Sequence, residues 1–461
     1  MFRIACAITT VASLLIPSLA AAQSSKPSPD VRAFELTPTP PPVPALKYEL
    51  LYDVVADRVP GNAAIIYIQT AILMGNESRD QALAALEAYE ANDLDKFNAL
   101  AEKVNRQAIF KNLDLAARRE EANWEVPIRE HGAESWLPHL EPMAHGLTNM
   151  LKTRALQQME NGKPEEAIAT LRMGYEMSDK VGREPTLVSA LVGLRINAQM
   201  NDVLARLMSR PNAPNLYWAM MQLPGGRGMF RNSVHVERRF LVPSVPNLDR
   251  AIKREELTPQ QWRTLLDYMA TLHASDPEPA KRIDPVKAAT PENLKQAREL
   301  YAKQRGGLKP EQVEKLDPVV VLGNLYVTQA EVESDEIFKL RNLPYPLLMK
   351  KGAEVAKRQA DLKKQTPGSP FFPMLDLAKT MERFAIADRQ RAALANVEAI
   401  RSYAAPNGGK LPQRLDDITD TPAMQNPQTG EPFEYAVKDN VATLSDSRSA
   451  TPLTYTIRIR P

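Results

Sequence analysis

Residues 148–182 read TNMLKTRALQQMENGKPEEAIATLRMGYEMSDKVG, and their spacing decides the fold class. Apolar side chains recur every three to four positions on both sides of Asn161-Gly162, the period of amphipathic helices rather than of strands. Gly162 supplies the turn, and Pro164 opens the next helix, where its missing N–H costs nothing. Ala155, Ala167, Leu171 and Gly174 face the crossing of the two helices, so the pair has the texture of one tetratricopeptide-like hairpin. No second copy follows at a period of about 34 residues. The expected fold is therefore mainly α, made of antiparallel helix hairpins that do not repeat.

Working outward, further helices read at 78–91, 93–103, 105–122, 141–161, 164–181 and 185–209. Before them Ile65, Ile68, Ala71 and Ile72 line one face of a helix that Gly75-Asn76 stops. Together these make an N-terminal helical domain over residues 47–242. Residues 243–309, richer in proline and charge, read as a connector with one well-patterned helix at 260–272. Helices resume over 310–405. The helix at 346–364 is lysine-rich, with Glu354 and Asp361 placed to answer the charges. The last helix carries an apolar stripe from Met374 through Phe384, Leu394, Val397 and Ile400 to Tyr403, and Arg383, Arg389, Arg391, Glu398 and Arg401 on its other face predict a surface position.

At Pro406 the texture changes. Strand-like runs at 433–437, 441–444 and 453–459, the first two joined by Lys438-Asp439-Asn440, predict a small antiparallel β unit over 406–461 packed on the preceding helix. Phe433, Tyr435, Leu444, Leu453, Tyr455 and Ile457 are its candidate buried face.

At the other end, residues 1–22 combine Arg3, an apolar run and Ala20-Ala21-Ala22, the pattern of a secretory signal with cleavage between Ala22 and Gln23. That predicts a periplasmic or extracellular protein with no membrane span after cleavage. Residues 23–46 hold seven prolines and read as an extended linker. The single cysteine, Cys6, lies inside the signal, so the mature chain has no disulfide or thiol chemistry. Lys plus Arg number 58 against 56 Asp plus Glu, a balance that argues against a nucleic-acid partner. Only 19 glycines but 38 prolines, with 6% aromatics, fit helices punctuated by prolines better than a β-sandwich.

Several short stretches carry a resemblance. Pro44-Ala45-Leu46-Lys47-Tyr48, Pro60-Gly61-Asn62-Ala63-Ala64, Pro214-Asn215-Leu216-Tyr217-Trp218, Lys410-Leu411-Pro412 and Asn426-Pro427-Gln428-Thr429-Gly430-Glu431-Pro432-Phe433 resemble landmarks of a family of uncharacterised secreted planctomycete proteins. The resemblance spans most of the mature chain and implies an envelope or secreted location, without supplying catalytic residues. The last 60 or so residues are also similar to the C-terminal half of type II secretion pseudopilins, with Asn426 standing where the commoner pattern has Asp.

The motifs that chemistry requires are mostly missing: no Gly-Lys-Ser/Thr phosphate loop, no Gly-x-Ser-x-Gly elbow and no His-Glu-x-x-His. No cofactor and no catalytic residue is expected. The one cluster that would suit a metal is His131, His139, Glu141 and His145, with Glu134 nearby. A six-residue step on a helix points His139 and His145 about 120 degrees apart, so they would converge only if the loop folds back. Tyr217 and Trp218 are the candidate aromatic patch for an interaction. The sequence thus predicts a noncatalytic envelope or secreted scaffold with a protein partner. Its alternatives are an accessory part of a secretion or pilus-like assembly, and a metal-dependent hydrolase at the histidine loop.

Overall fold

A computed structural model of the chain describes residues 29–105, 107–131, 137–237, 241–272, 284–371 and 377–460. The expected signal at 1–22 and the Ala22–Gln23 junction lie outside them. The protein is mainly α, with a small C-terminal antiparallel sheet. Contacts among the described residues divide the chain into two compact units. The first comprises residues 1–125, 136–233 and 383–461, and the second residues 126–135 and 234–382.

The first unit starts from helix hairpins whose ends are written in the sequence. Helix α1 (Ala63–Glu90) is capped by the Asn62 side chain, which accepts from Ala64 N–H. It breaks at Gly75 (φ 64°) and resumes, so the expected stop is a kink. Asn92 at φ 58° turns the chain into α2 (Leu94–Val104) and is followed by α3 (Gln107–Arg118). A turn of π-helix at Pro142–Leu147 runs into α4 (Thr148–Glu160), and α5 (Pro164–Gly182) and α6 (Leu187–Met208) complete the row. Between α4 and α5, Lys163 N–H donates to Gln158 O and Gly162 N–H to Met159 O, the left-handed closure that only a residue free of Cβ strain adopts cheaply. Between α5 and α6 the backbones nearly touch: a Cβ on Gly193 would lie 2.6 Å from Gly182 Cα.

The sheet departs from expectation at its edge. Strands β4 (Glu434–Lys438), β5 (Val441–Asp446) and β6 (Leu453–Ile459) form the expected antiparallel meander, with Asp439 and Asn440 both at positive φ in the first turn. A fourth strand, β1 (Asp30–Leu36), comes from the segment expected to be a linker and runs parallel to β6, giving the order β1-β6-β5-β4. Its even residues explain this: Phe34 and Leu36 are buried, while Val31, Ala33 and Glu35 face solvent. A short edge strand with one apolar face survives between Pro29 and Pro38 because proline is excluded only where the ladder needs its N–H. Strands β2 (Val59–Asn62) and β3 (Arg119–Glu121) form a separate two-stranded piece.

The C-terminal helix Leu377–Ala404 overturns a second expectation. Ala393, Leu394, Val397 and Ile400 share one core with Phe433, Leu444, Leu453, Tyr455 and Ile457 of the sheet. Yet Arg389, Glu398 and Arg401, read as a surface face, are fully buried. Arg389 pairs with Asp446 at 2.8 Å. Arg401 donates to Thr37 O, Thr39 Oγ1, Ala213 O and Pro214 O and stands 3.4 Å from the Glu398 carboxylate. The helix is covered on both faces, so its charges find partners inside.

In the second unit, the region expected to be a connector at 243–309 is half of a core. Val245, Leu248, Leu257, Trp262, Leu265, Leu266, Met269 and Ala297 pack with Val319, Leu322, Leu325 and Tyr326 of the helix Pro318–Phe338. Two of its prolines, Pro259 and Pro291, open helices, as do Pro310 and Pro318 just beyond it. The lysine-rich helix is Tyr345–Gln365, where Lys351 pairs with Glu354 and Arg358 with Glu333 and Glu336.

Candidate functional site

The expected histidine cluster does not assemble. His139 is buried, hydrogen-bonded through Nε2 to Glu184 Oε2 at 2.9 Å and stacked on Trp124 at 4.3 Å between centroids. Trp124 stacks in turn on Tyr67. Glu184 also accepts from Ser189 Oγ, so this carboxylate orders the start of α6. His145, on the π-turn, stands 3.4 Å from Arg195, and burial and that neighbouring charge hold its imidazole below its usual range. Glu141 pairs with Arg79. His131 ends the short helix Ile128–His131 in the second unit, exposed, and Glu134 lies outside the described residues. Among the described residues no group of three or more acidic or imidazole side chains is placed to hold a metal ion.

The expected aromatic patch points inward. Tyr217 is buried and its hydroxyl donates to Pro422 O, while Trp218 meets it edge to face at 5.0 Å and is partly buried against the same core. In the same unit, Glu176 accepts from Tyr52 N–H, Arg58 and Lys180, and Lys180 also donates to Ala117 O. Burial pushes the Lys180 ammonium below its usual range and the Asp179 carboxyl above its own. These groups are committed to one another.

What the first unit does offer to a ligand is an open cleft of about 880 Å³ beside β1. Strand β1 supplies one wall from Pro29 to Phe34, α4 brings Lys152 and Leu156, α6 brings Asp202, Val203 and Arg206, and Tyr89, Glu90 and Arg210 close the end. Most of its charges are paired. Arg32 bonds Asp30 at 2.9 Å and Asp202 at 2.7 Å, Arg206 pairs with Glu90, and Arg210 with Glu160. Tyr455 donates to Asp30 at 2.7 Å, fixing the root of the strand. Lys152 is the exception: half-buried, it has no hydrogen-bond or ion-pair partner among the described residues, and burial lowers its ammonium from the usual range.

The chain matches no family model, no curated protein and no solved structure. The site is therefore read from its own chemistry. None of its members was singled out in the sequence, because they come from β1, α1, α4 and α6 and converge only in three dimensions. The one local signal is residues 30–36, DVRAFEL, whose alternation around Phe34 and Leu36 marks a strand inside a proline-rich stretch.

Proposed function

We propose that this chain is an exported, noncatalytic interaction protein, and that the cleft beside β1 is its binding surface. The observation that carries the reading is a contrast within one unit. Glu176, Lys180, Glu184, Arg389 and Arg401 are buried and engaged by fixed partners, whereas the cleft is open and holds an ammonium with no hydrogen bond or ion pair among the described residues. Catalysis needs a titratable group poised at an accessible reacting atom, and binding needs an accessible surface with unmet polar capacity. The cleft meets the second description. Export rests on the signal pattern of residues 1–22, and the landmarks resembling secreted planctomycete proteins support the same location.

The test is partner capture. The full chain carrying an affinity tag should retain an envelope partner after crosslinking, and a Lys152→Glu, Arg206→Glu variant with wild-type melting should lose it. Capture that survives both substitutions overturns the reading, as does a hydrolase activity lost on changing His139 to Gln.

A second reading, an accessory component of a secretion or pilus-like assembly, is favoured by one arrangement: the long helix Leu377–Ala404 followed by a proline loop and the β4–β6 meander packed on it. Copurification with pilin-like subunits that does not depend on the cleft would favour it.

A further inference from the structure

Strand β1 is the outermost strand of its sheet. In a parallel ladder both polar groups of every second residue turn towards the partner strand, and those of the residues between turn away. Asp30 N–H donates to Pro452 O, and Leu36 O accepts from Arg460 N–H, so the even residues face β6. Val31, Ala33 and Glu35 therefore direct N–H and C=O to the free edge, and Val31 and Ala33 line the cleft. No strand among the described residues pairs with that edge.

A row of alternating backbone donors and acceptors is matched by another extended polypeptide, which makes the same row in return. Side-chain chemistry narrows the choice. The arginines of the cleft already hold carboxylates, so no guanidinium fork is free for a phosphate. Lys152 offers one compact positive charge, half-desolvated and without a hydrogen bond or ion pair among the described residues although Asp202 and Glu90 lie near, and such a charge suits a single carboxylate. Five basic residues line the cleft against three acidic ones, a balance that favours an incoming segment of net negative charge.

We propose that the cleft takes an extended acidic polypeptide segment, which adds a fifth strand along the free edge of β1 and sets a carboxylate on Lys152. The inference rests on the reading of this cleft as the binding surface and names what occupies it. The free edge of β1 supplies the incoming strand's main-chain bonds.

The probe is a fluorescent peptide as long as β1 that alternates Glu and Val, titrated into the full chain and read by anisotropy. It should bind saturably. A Gln-for-Glu peptide, or the Lys152→Gln protein, should bind at least about tenfold more weakly. Methylation of alternate peptide amides should abolish binding in one register, because it removes donors and leaves the side chains. Ala33→Pro should do the same from the protein side, since it deletes an outward N–H and leaves the β6 ladder intact. If Ala33→Pro lowers the melting temperature, the methylated peptide carries that arm alone. Equal binding of the Gln peptide, or of both methylated registers, overturns the inference. So does binding of inorganic phosphate or anionic vesicles at Lys152 with no response to either peptide. Partner capture that depends on Lys152 and Arg206 while no peptide binds overturns the inference and leaves the proposed function standing. Capture indifferent to those residues overturns the proposed function.

Discussion

Helix α1 and the C-terminal helix Leu377–Ala404 place their side chains in opposite ways. On the first half of α1, Ile65 is 55% exposed and Ile72 75%, with Ile68 and Leu73 also in solvent, while Ala63, Ala64, Tyr67, Thr70 and Met74 face the core. On the C-terminal helix the aliphatic stripe is buried and so are Arg389, Glu398 and Arg401. One helix leaves its branched aliphatics in water, and the other takes its charges inside. The difference teaches that an amphipathic period identifies a helix without saying which face is covered. Coverage is set by what else the chain brings: small Ala63 and Ala64 allow close approach on the other side of α1, and two layers close over the last helix.

The comparison breaks most visibly at Arg401. Arg401→Met keeps the length and loses the charge, leaving Glu398 buried without its cation and taking the guanidinium donors from the carbonyls of Thr37, Ala213 and Pro214. Losing one partner of a buried ion pair costs about 3–5 kcal/mol, and urea unfolding of the variant should show it. A loss under about 1 kcal/mol would mean that the buried charges are spectators.

A smaller effect sharpens the same point through pH. Burial raises the Glu398 carboxyl above its usual value despite Arg401. The folded state then holds its proton more tightly than the unfolded chain, so this group's contribution is full below the ordinary carboxylate range and is lost as pH rises through the folded value. Glu398→Gln should flatten the stability profile there. An unchanged slope in the variant would show that Arg401 cancels the burial.

The smallest effect belongs to α1. Ile72→Glu removes no packed contact and should change stability by no more than about 0.5 kcal/mol. A loss of several kcal/mol on thermal unfolding would mean that the stripe is covered in solution and that the two helices are less different than they look.

Much of the fold was legible. The 148–182 stretch gave its hairpin because turn, cap and period agree locally, and the β4–β6 meander was readable because its strands alternate and its first turn is short. The connector at 243–309 was misread because proline density says nothing about whether each proline opens a helix or separates two. Arg401 was misread because charge on one helix face means solvent only when nothing brings carbonyls to it. The cleft was not legible at all: Lys152 is an ordinary helical lysine until α6 and β1 stand beside it. The histidines, close in sequence, were drawn apart by partners such as Glu184 that lie far along the chain.

The pairing of Asp30–Leu36 with Leu453–Ile459 has a consequence in time. During synthesis the strand Asp30–Leu36 emerges long before Leu453–Ile459 and waits for most of the chain before its partner exists. Joining such distant segments is slow, because loop closure precedes any reward from the contact. The helices from α1 to α6 can form and pack earlier from local contacts. Docking of β1 is then the late step that completes the sheet. Until it happens, β6 offers the open edge, and a factor that protects unfinished chains would find its target there.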